Sequence, residues 1–404
     1  MLDRLISFFT SLRLTVLCLL LGMILVFLGT MAQDPLGLYL AQEKFFRSFF
    51  VTAPAMVAAL KKTLEMLHVY LPPSTAADVM SGTHLPIFPG GYLVGGVLVI
   101  NLVASHFKRF NLTRSKAGIW LVHFGLILLL LGQLLTDVLS RESSLHLRTG
   151  ETRNYSENDR QSELAIIDTT DPDADKVVAI PQSALMSQKE IRLADLPFTV
   201  RVKNFFSNSQ VEERKADAAA APAATQGVGA RATVIPLPRV TEMDRRDIPS
   251  AVVEIVTPQR SIGTWLATEF IASPQPFVWN NRSYQLVMRP LRHYKPYSIQ
   301  LVEFRHDVYP GTEIPKNFSS RVMLQRPDTG EKREVLIKMN SPLRYAGETY
   351  YQASFDTDNG GTILQVVHNP SWLTPYFSCI LVCAGLVLQF MMQLTGFALK
   401  RRAA

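Results

Sequence analysis

The sequence predicts an integral membrane α-helical protein with four transmembrane helices and a large extracytoplasmic all-β domain, either an antiparallel sandwich or an open barrel, inserted between the third and fourth spans. Two observations predict this class. Of the 404 residues, 48% are hydrophobic, and they gather in four apolar runs. Between the last two runs lies a long polar segment in which apolar residues recur with period two, which is typical of half-buried strands.

Each of the four runs is long enough to cross a bilayer, which takes roughly 20 apolar residues. The predicted spans are 14–32, 86–105, 118–136 and 372–395. Arg4 and Arg13 precede the first, as in a signal peptide. However, that run is longer than a usual signal core and no small-residue cleavage site follows it, so we interpret it as an uncleaved span. Trp372 and Tyr376 stand at the entrance of the last span as interfacial anchors.

Basic residues predict the orientation of the spans. The N-terminus 1–13, the loop 106–117 and the tail 396–404 are all rich in lysine and arginine. With four spans these segments fall on one side of the membrane, and the positive-inside rule makes that side cytoplasmic. Because much of the basic excess flanks the spans, the formal net charge of +7 predicts membrane lipids rather than nucleic acid as partners.

The segment 33–85 faces outward in this topology and mixes aromatic, alanine and leucine residues with charged ones. Its apolar spacing suits interfacial helices on the outer membrane surface, and equally helices packed on the top of the bundle. His68 and His84 lie in this segment as ordinary polar surface residues.

The segment 137–371 is the predicted β-rich domain. Eight strand-like runs recur in it between turn signals, and no helical pattern alternates with them, so a parallel α/β sheet is excluded. Residues 216–230, rich in alanine, interrupt the strands as a predicted mobile loop. No nucleophile, zinc or phosphate-loop motif is present, so we predict no catalytic residues and expect a binding or scaffolding domain.

The three cysteines, Cys18, Cys379 and Cys383, all lie in apolar runs. The sequence contains no CxxCH haem-attachment site and no CxxC pair, so the chain is neither a c-type cytochrome nor a thiol oxidoreductase. We expect the cysteines to be buried and inert.

Several stretches resemble the ResB (CcsB) family of cytochrome c biogenesis proteins. The first span with its Gly-Thr exit and the third span, KAGIWLVHFGLILLLLGQLL, are similar to the family's spans. The most specific stretch is NSPLRYAGETYYQASF at 340–355, which leads through NPSWLTPY into the last span. The residues of this family motif, for which we expect structural roles, are Asn340, Pro342, Tyr345, Gly347, Tyr350 and Tyr351.

The resemblance implies a role in system II maturation of c-type cytochromes at the bacterial inner membrane. Such proteins act with a multi-span CcsA/ResC-like partner, which carries a tryptophan-rich haem-handling loop, and present haem to apocytochrome c. The tryptophan-rich loop is absent here. We therefore expect the chain to be a subunit of a haem-lyase complex that is not catalytic alone. The alternatives are a b-haem or quinone-linked electron-transfer subunit and a structural anchor with a partner-binding β domain.

His123 is the one ionisable side chain of the third span from Gly118 onward. Such residues face the bundle interior and mark pathways or cofactors. From the residues alone, a haem ligand and a hydrogen bond to a neighbouring helix stay open. The resemblance implies a ligand of a transient haem b shared with the partner. His123 lies roughly 7–8 Å into the span, in its cytoplasmic half. Gly118 and Gly125 flank it and let a helix or a flat macrocycle approach.

Two further histidines are weaker candidates for haem binding. His106 ends the second span and can pair with His123 around a b-haem, although Lys108 and Arg109 beside it predict a place among the lipid headgroups. His368 lies on the outer side just before the last span, where it can assist the exit of haem.

Overall fold

The computed structural model describes residues 2–69, 85–109, 116–214, 222–240, 245–271, 273–312 and 315–403. Their contacts divide the chain into two compact units. The helical unit comprises Met1–Ser140 and Asn369–Ala404, and the β unit comprises Arg141–Val240 and Arg245–His368. His84 and the basic residue Arg114 lie outside the residues that the structure describes.

The helical unit contains six labelled helices in its described part. They are α1 (Leu2–Phe9), α2 (Leu12–Ala41), α3 (Ala53–Met66), α4 (Gly91–Arg109), α5 (Ala117–Leu139) and α6 (Thr374–Ala403). A π-helical turn, Gln42–Phe46, continues α2. By length and composition, three helices of the described part can cross a membrane: Leu12–Phe46, Ala117–Leu139 and Thr374–Leu399. Gly91–His106 is apolar but shorter.

The predicted second span begins too early. Strands β1 (Phe50–Thr52) and β2 (Pro86–Pro89) pair antiparallel, so the first four residues of that span belong to a sheet. Two prolines in these four residues disfavour a helix, because each lacks an amide donor. Helix α4 therefore starts at Gly91.

Part of the predicted outer loop packs on the bundle. Helix α3 lies against α2, and their shared apolar core includes Leu28, Phe45, Met56 and Ala59. Two alternatives were open for this loop, interfacial helices and helices packed on the bundle. Helix α3 is packed on the bundle. His68, just after it, is an exposed residue with a left-handed backbone, φ 61°.

Helices α5 and α6 approach along a glycine seam, which we define as Gly118, Gly125 and Gly132. The three are seven residues apart and so share one face of α5. A Cβ added to them would lie 2.6, 2.8 and 2.4 Å from atoms of α6, closer than real contacts allow. The sequence predicts that a helix or a flat macrocycle can approach these glycines, and in the structure helix α6 lies against them.

The β unit consists of antiparallel strands in its described part. They are β3 (Arg141–Arg148), β4 (Thr152–Asp168), β5 (Lys176–Pro181), β6 (Glu190–Ile191), β7 (Thr199–Phe206), β8 (Ser209–Glu213), β9 (Ala232–Pro236), β10 (Ser250–Val256), β11 (Ser261–Thr268), β12 (Gln275–Trp279), β13 (Arg282–Val308), β14 (Pro315–Arg326), β15 (Glu331–Lys338), β16 (Leu343–Tyr345), β17 (Glu348–Phe355) and β18 (Gly361–His368). A short helix, Gln182–Ser187, follows β5.

A large sheet runs in the order β15-β14-β13-β4-β3-β18-β17-β16, with β12 beside β13 and β5 beside β4. Its end strands β15 and β16 also contact each other, so the sheet nearly closes into a barrel. A second sheet, β11-β10-β7-β6, packs on the other part of β4 and β13. The β-rich domain thus combines both predicted forms, a sandwich and an open barrel.

Each half of the β unit has its own core. The sandwich core includes Leu164, Val253 and Leu286, and the barrel core includes Leu301, Leu324 and Tyr350. The long strand β13 contributes to both cores, with Leu286 in the sandwich core and Leu301 in the barrel core.

The described part of the predicted mobile insert is packed instead. Thr225 exchanges backbone-to-hydroxyl hydrogen bonds with Thr264 of β11 at 2.8 and 2.9 Å. Ala224 is buried, and a Cβ on Gly229 would lie 2.8 Å from Leu266 Cβ. Small residues that look like low complexity in the sequence therefore allow a close approach to β11.

Candidate functional site

The side chain of His123 is oriented by its own helix. It lies half-buried in the second turn of α5, and its Nδ1 is 2.8 Å from the carbonyl oxygen of Ile119, four residues earlier. A carbonyl oxygen only accepts hydrogen bonds, so Nδ1 carries the proton and donates it. The lone pair of the neutral ring is then on Nε2, the nitrogen that points away from the helix backbone.

His123 lies on the face of α5 turned away from the glycine seam. At 3.6 residues per turn, five residues separate it from Gly118 by about 140° around the helix. Helix α6 occupies the seam, so His123 faces the other side, where α4 lies.

The structure brings His106 of α4 next to His123. The centroids of the two imidazole rings are 5.7 Å apart, with the ring planes tilted by 40°. His106 also packs edge-on against Trp120 of α5, at 3.8 Å between ring centroids. Only 7% of His106 is exposed. The ring of His106 is thus covered by the adjacent helix α5, and its place at the depth of the headgroups stays a prediction.

His106 and His123 are the residues of this unit that could hold a haem iron as axial ligands. Among the described residues, no group of three or more histidine, cysteine or acidic side chains is placed to hold a metal ion. Haem iron needs only one or two axial ligands from protein. A ligating histidine typically donates its other N–H to a backbone carbonyl or carboxylate, which is the arrangement of His123 with Ile119.

A groove of about 590 Å³ lies on the helical unit between α4 and α5. Its walls are apolar, and Gly95 and Gly96 leave open space on the α4 side. One end is polar, where Arg47 pairs with Asp137 at 2.6 Å and the Tyr92 hydroxyl donates to the same carboxylate. Sequence reasoning missed this ion pair, because nothing in the sequence links residues 90 positions apart.

His368 belongs to the β unit, whereas the other two candidate histidines, His106 and His123, belong to the helical unit. It ends β18 in the β unit, beside a turn at Ala346–Gly347 where both residues have positive φ, 49° and 82°. A Cβ on Gly347 would come within 3.6 Å of the imidazole. The ring therefore lies over the turn of the family motif.

The family motif builds the barrel end of the β unit. Asn340, with φ 60°, forms the turn after β15, and Pro342 leads from it into β16. The Tyr345 hydroxyl donates to Glu331 at 2.6 Å. Tyr351, on the other face of β17 from Tyr350, is 38% exposed.

Tyr350 is the most deeply buried member of that motif, at 1% exposed. Its hydroxyl donates to Glu348 at 3.1 Å and lies 2.8 Å from the hydroxyl of Tyr297. Burial, more than the neighbouring tyrosine and carboxylate, raises the pKa of Tyr350 well above its ordinary value. Tyr350 is therefore a neutral donor in a buried network.

The cysteines divide between two environments. Cys18 is buried between α2 and α4, as expected. Cys379 and Cys383 are exposed on α6, so the expectation that they are buried within the chain is wrong. They lie one helical turn apart on a face that no described residue covers.

Two comparisons with known proteins found sequences similar to this chain. Residues 275–363, which span β12 to β18 and contain the family motif, match the model of the ResB-like family. Over 296 residues, 72% of this chain, the sequence is 24% identical to Protein NrfI of Wolinella succinogenes. The predicted resemblance to the ResB-like family is confirmed. The chain spans less than a third of that relative's length, 29%.

The ResB-like match and the apolar helices together make this a membrane protein.

Proposed function

We propose that this ResB-like chain handles haem during the maturation of c-type cytochromes. In this proposal His123 is an axial ligand of a transient haem b, and a CcsA/ResC-like multi-span protein supplies the tryptophan-rich loop and the second ligand. This chain and its partner protein together move haem outward and present it to apocytochrome c. The chain alone performs no chemistry; the haem supplies the iron, and the chain holds and orients it.

The observation that carries the proposal is the orientation of His123. The Ile119 carbonyl accepts a hydrogen bond from Nδ1–H, so the ring lone pair that would bind iron is on Nε2. The orientation also holds the ring towards α4 rather than towards the seam filled by α6.

The same proposal includes an orientation in the membrane. The basic segments 1–13, 106–117 and 396–404 are placed in the cytoplasm of a bacterium, and the β unit on the outer side of the inner membrane. His123 then lies in the inner half of its helix, where haem made in the cytoplasm enters.

The test compares His123→Ala with the wild type, each co-purified with a CcsA/ResC-like partner. We expect the variant to lose most of its haem absorption and of the c-type cytochrome yield. Added imidazole should restore the haem absorption, because it can occupy the space left by the missing ring. His68→Ala, an exposed histidine of the same unit, is the control and should keep both. Equal haem retention in His123→Ala and wild type would contradict the proposal.

A second candidate function is favoured by one observation. The 5.7 Å separation of His106 and His123 places two imidazoles of this one chain together, as in a b-haem subunit that transfers electrons. In that case the chain purified without any partner carries one redox-active haem, and His106→Ala removes it as completely as His123→Ala. A colourless chain in the absence of the partner rules this candidate out.

A further inference from the structure

A second cavity, of about 450 Å³, lies within the β unit where β13 changes its pairing with β4. The register of these strands shifts between Pro290 and Arg292 and again between Tyr294 and Ile299. Residues 292–297, which comprise the paired segment between the two shifts and the first residues of the second shift, line the cavity. A register shift turns side chains away from the regular ladder and commonly marks a functional position. The volume is within the range of small-molecule sites.

The wall of this cavity is positively charged. Its one carboxylate is Glu348, and its cationic side chains are Arg141, Arg292, Lys295 and Arg326. Three of these cations pair with a carboxylate, among them Lys295 with Glu348. Arg141, the first residue of β3, is exposed and forms no ion pair with any residue that the structure describes. The cavity therefore has an unused guanidinium for an anion.

A buried histidine nitrogen faces the same charges. Nε2 of His293 is inaccessible to solvent and has no hydrogen-bond partner among the described residues. Burial, and after it the charges of Lys295 and Arg141, lower the pKa of His293, so its ring is neutral at neutral pH. A neutral ring in the wall leaves the cationic side chains as the groups that attract an anion.

Ring side chains form much of the remaining wall, beside the small residues Ser143 and Ala346 and the aliphatic Val366. Tyr294, Tyr297, Pro296 and the imidazole of His368 line it together with His293. The guanidinium of Arg292 stacks over the Tyr155 ring at 4.1 Å, which keeps that arginine flat against the wall. Flat aromatic walls with charged groups at one place suit a planar ligand that carries its charge on one edge.

We propose that this cavity binds the carboxylate-bearing edge of a planar aromatic molecule, with Arg141 as the contact to the carboxylates. The inference rests on the proposed function, because in a haem-handling protein that molecule is haem itself, with its two propionate groups. The β unit then holds haem through its carboxylates, independently of any iron ligand.

The test uses the full chain in lipid nanodiscs and metal-free protoporphyrin, whose binding is followed by fluorescence above that of empty nanodiscs. Without iron the probe cannot be ligated by His123, so its binding is separate from the proposed axial ligand. We expect Arg141→Glu to weaken binding by roughly tenfold or more, as expected for the loss of a hydrogen bond to a charged group. The control is Arg260→Glu, an exposed arginine in the β10–β11 turn, which should bind like the wild type.

The dimethyl ester of protoporphyrin keeps the flat ring and lacks both carboxylates. It should bind the wild type no better than the diacid binds Arg141→Glu. Equal affinity of ester and diacid for the wild type, or equal affinity of wild type and Arg141→Glu for the diacid, overturns the inference. Loss of iron-haem retention in His123→Ala remains a separate result, so failure of the cavity and failure of the proposed function are distinguishable.

Discussion

The chemistry of His123 depends on one hydrogen bond within its own helix. Nδ1–H donates a hydrogen bond to the carbonyl oxygen of Ile119 at 2.8 Å, so the lone pair that would bind iron is on Nε2. The sequence predicts a histidine at this depth and, through the resemblance, its role. It raises the pairing with His106 only as one alternative, because that contact depends on how α4 and α5 pack. In the structure, Trp120 of α5 covers the ring of His106.

Tyr350 provides a prediction at the same scale. Tyr350→Phe removes the hydroxyl that connects Tyr297 and Glu348 and leaves both with one partner fewer inside the barrel. We expect a loss of about 1–3 kcal/mol in the free energy of unfolding, the usual cost of an unmade buried hydrogen bond. Thermal or denaturant unfolding of the purified chain measures it. Tyr351→Phe, the exposed neighbour, is the control, and an equal effect of the two changes would contradict the network.

At the scale of elements, glycines and prolines decide what the periodicity of the sequence leaves open. The apolar run 86–105 has the composition of a span, but Pro86 and Pro89 put its first residues in β2. Conversely, the glycines of α5 look like an opening for a cofactor, and the structure fills the seam with α6. Hydrophobic pattern alone predicts that a segment is buried; it does not say which neighbour covers it.

The second sheet of the β unit offers a pH-dependent prediction. Glu254 of β10 accepts hydrogen bonds from Lys203 of β7 and Ser261 of β11, and these contacts, the one from Lys203 first, lower its pKa below the ordinary value of 4.5. A carboxyl group whose folded-state pKa is lowered stabilises the fold above its unfolded pKa. That contribution is lost as the pH falls through the folded pKa.

We therefore expect the stability of wild type to fall as the pH drops below about 4.5. Glu254→Gln should be less stable than wild type near neutral pH and should lose less on acidification. The measurement is the unfolding midpoint as a function of pH. Glu212→Gln, an exposed acid on β8, serves as the control and should follow the wild-type curve. Parallel curves for Glu254→Gln and wild type would show that Glu254 does not link the strands.

For the whole molecule, the sequence predicts the class of each unit better than their boundaries. Charge and apolar length indicate a helical membrane unit, and period-two alternation indicates an all-β unit; both features depend on local sequence. The nearly closed barrel, and the strand β13 that contributes to two cores, depend on pairings between residues far apart in the chain. No local pattern encodes such pairings, so the choice between sandwich and barrel stayed open until the registers were known.

The last prediction concerns the orientation of the whole chain, and the scarcity of cysteine makes it testable. In a variant without Cys18, Cys379 and Cys383, one new cysteine at a time is introduced at an exposed lysine, Lys332 of β15 or Lys108 of α4. The positive-inside rule places Lys108 in the cytoplasm and the β unit outside. A membrane-impermeant maleimide added to spheroplasts should therefore label Lys332→Cys at once and Lys108→Cys only after lysis. Labelling of Lys108→Cys after lysis shows that this cysteine is reactive. Its protection before lysis then shows that the membrane separates it from the maleimide. If Lys108→Cys is labelled in intact spheroplasts and Lys332→Cys is not, the chain is inverted, and His123 lies in the outer rather than the inner half of its helix.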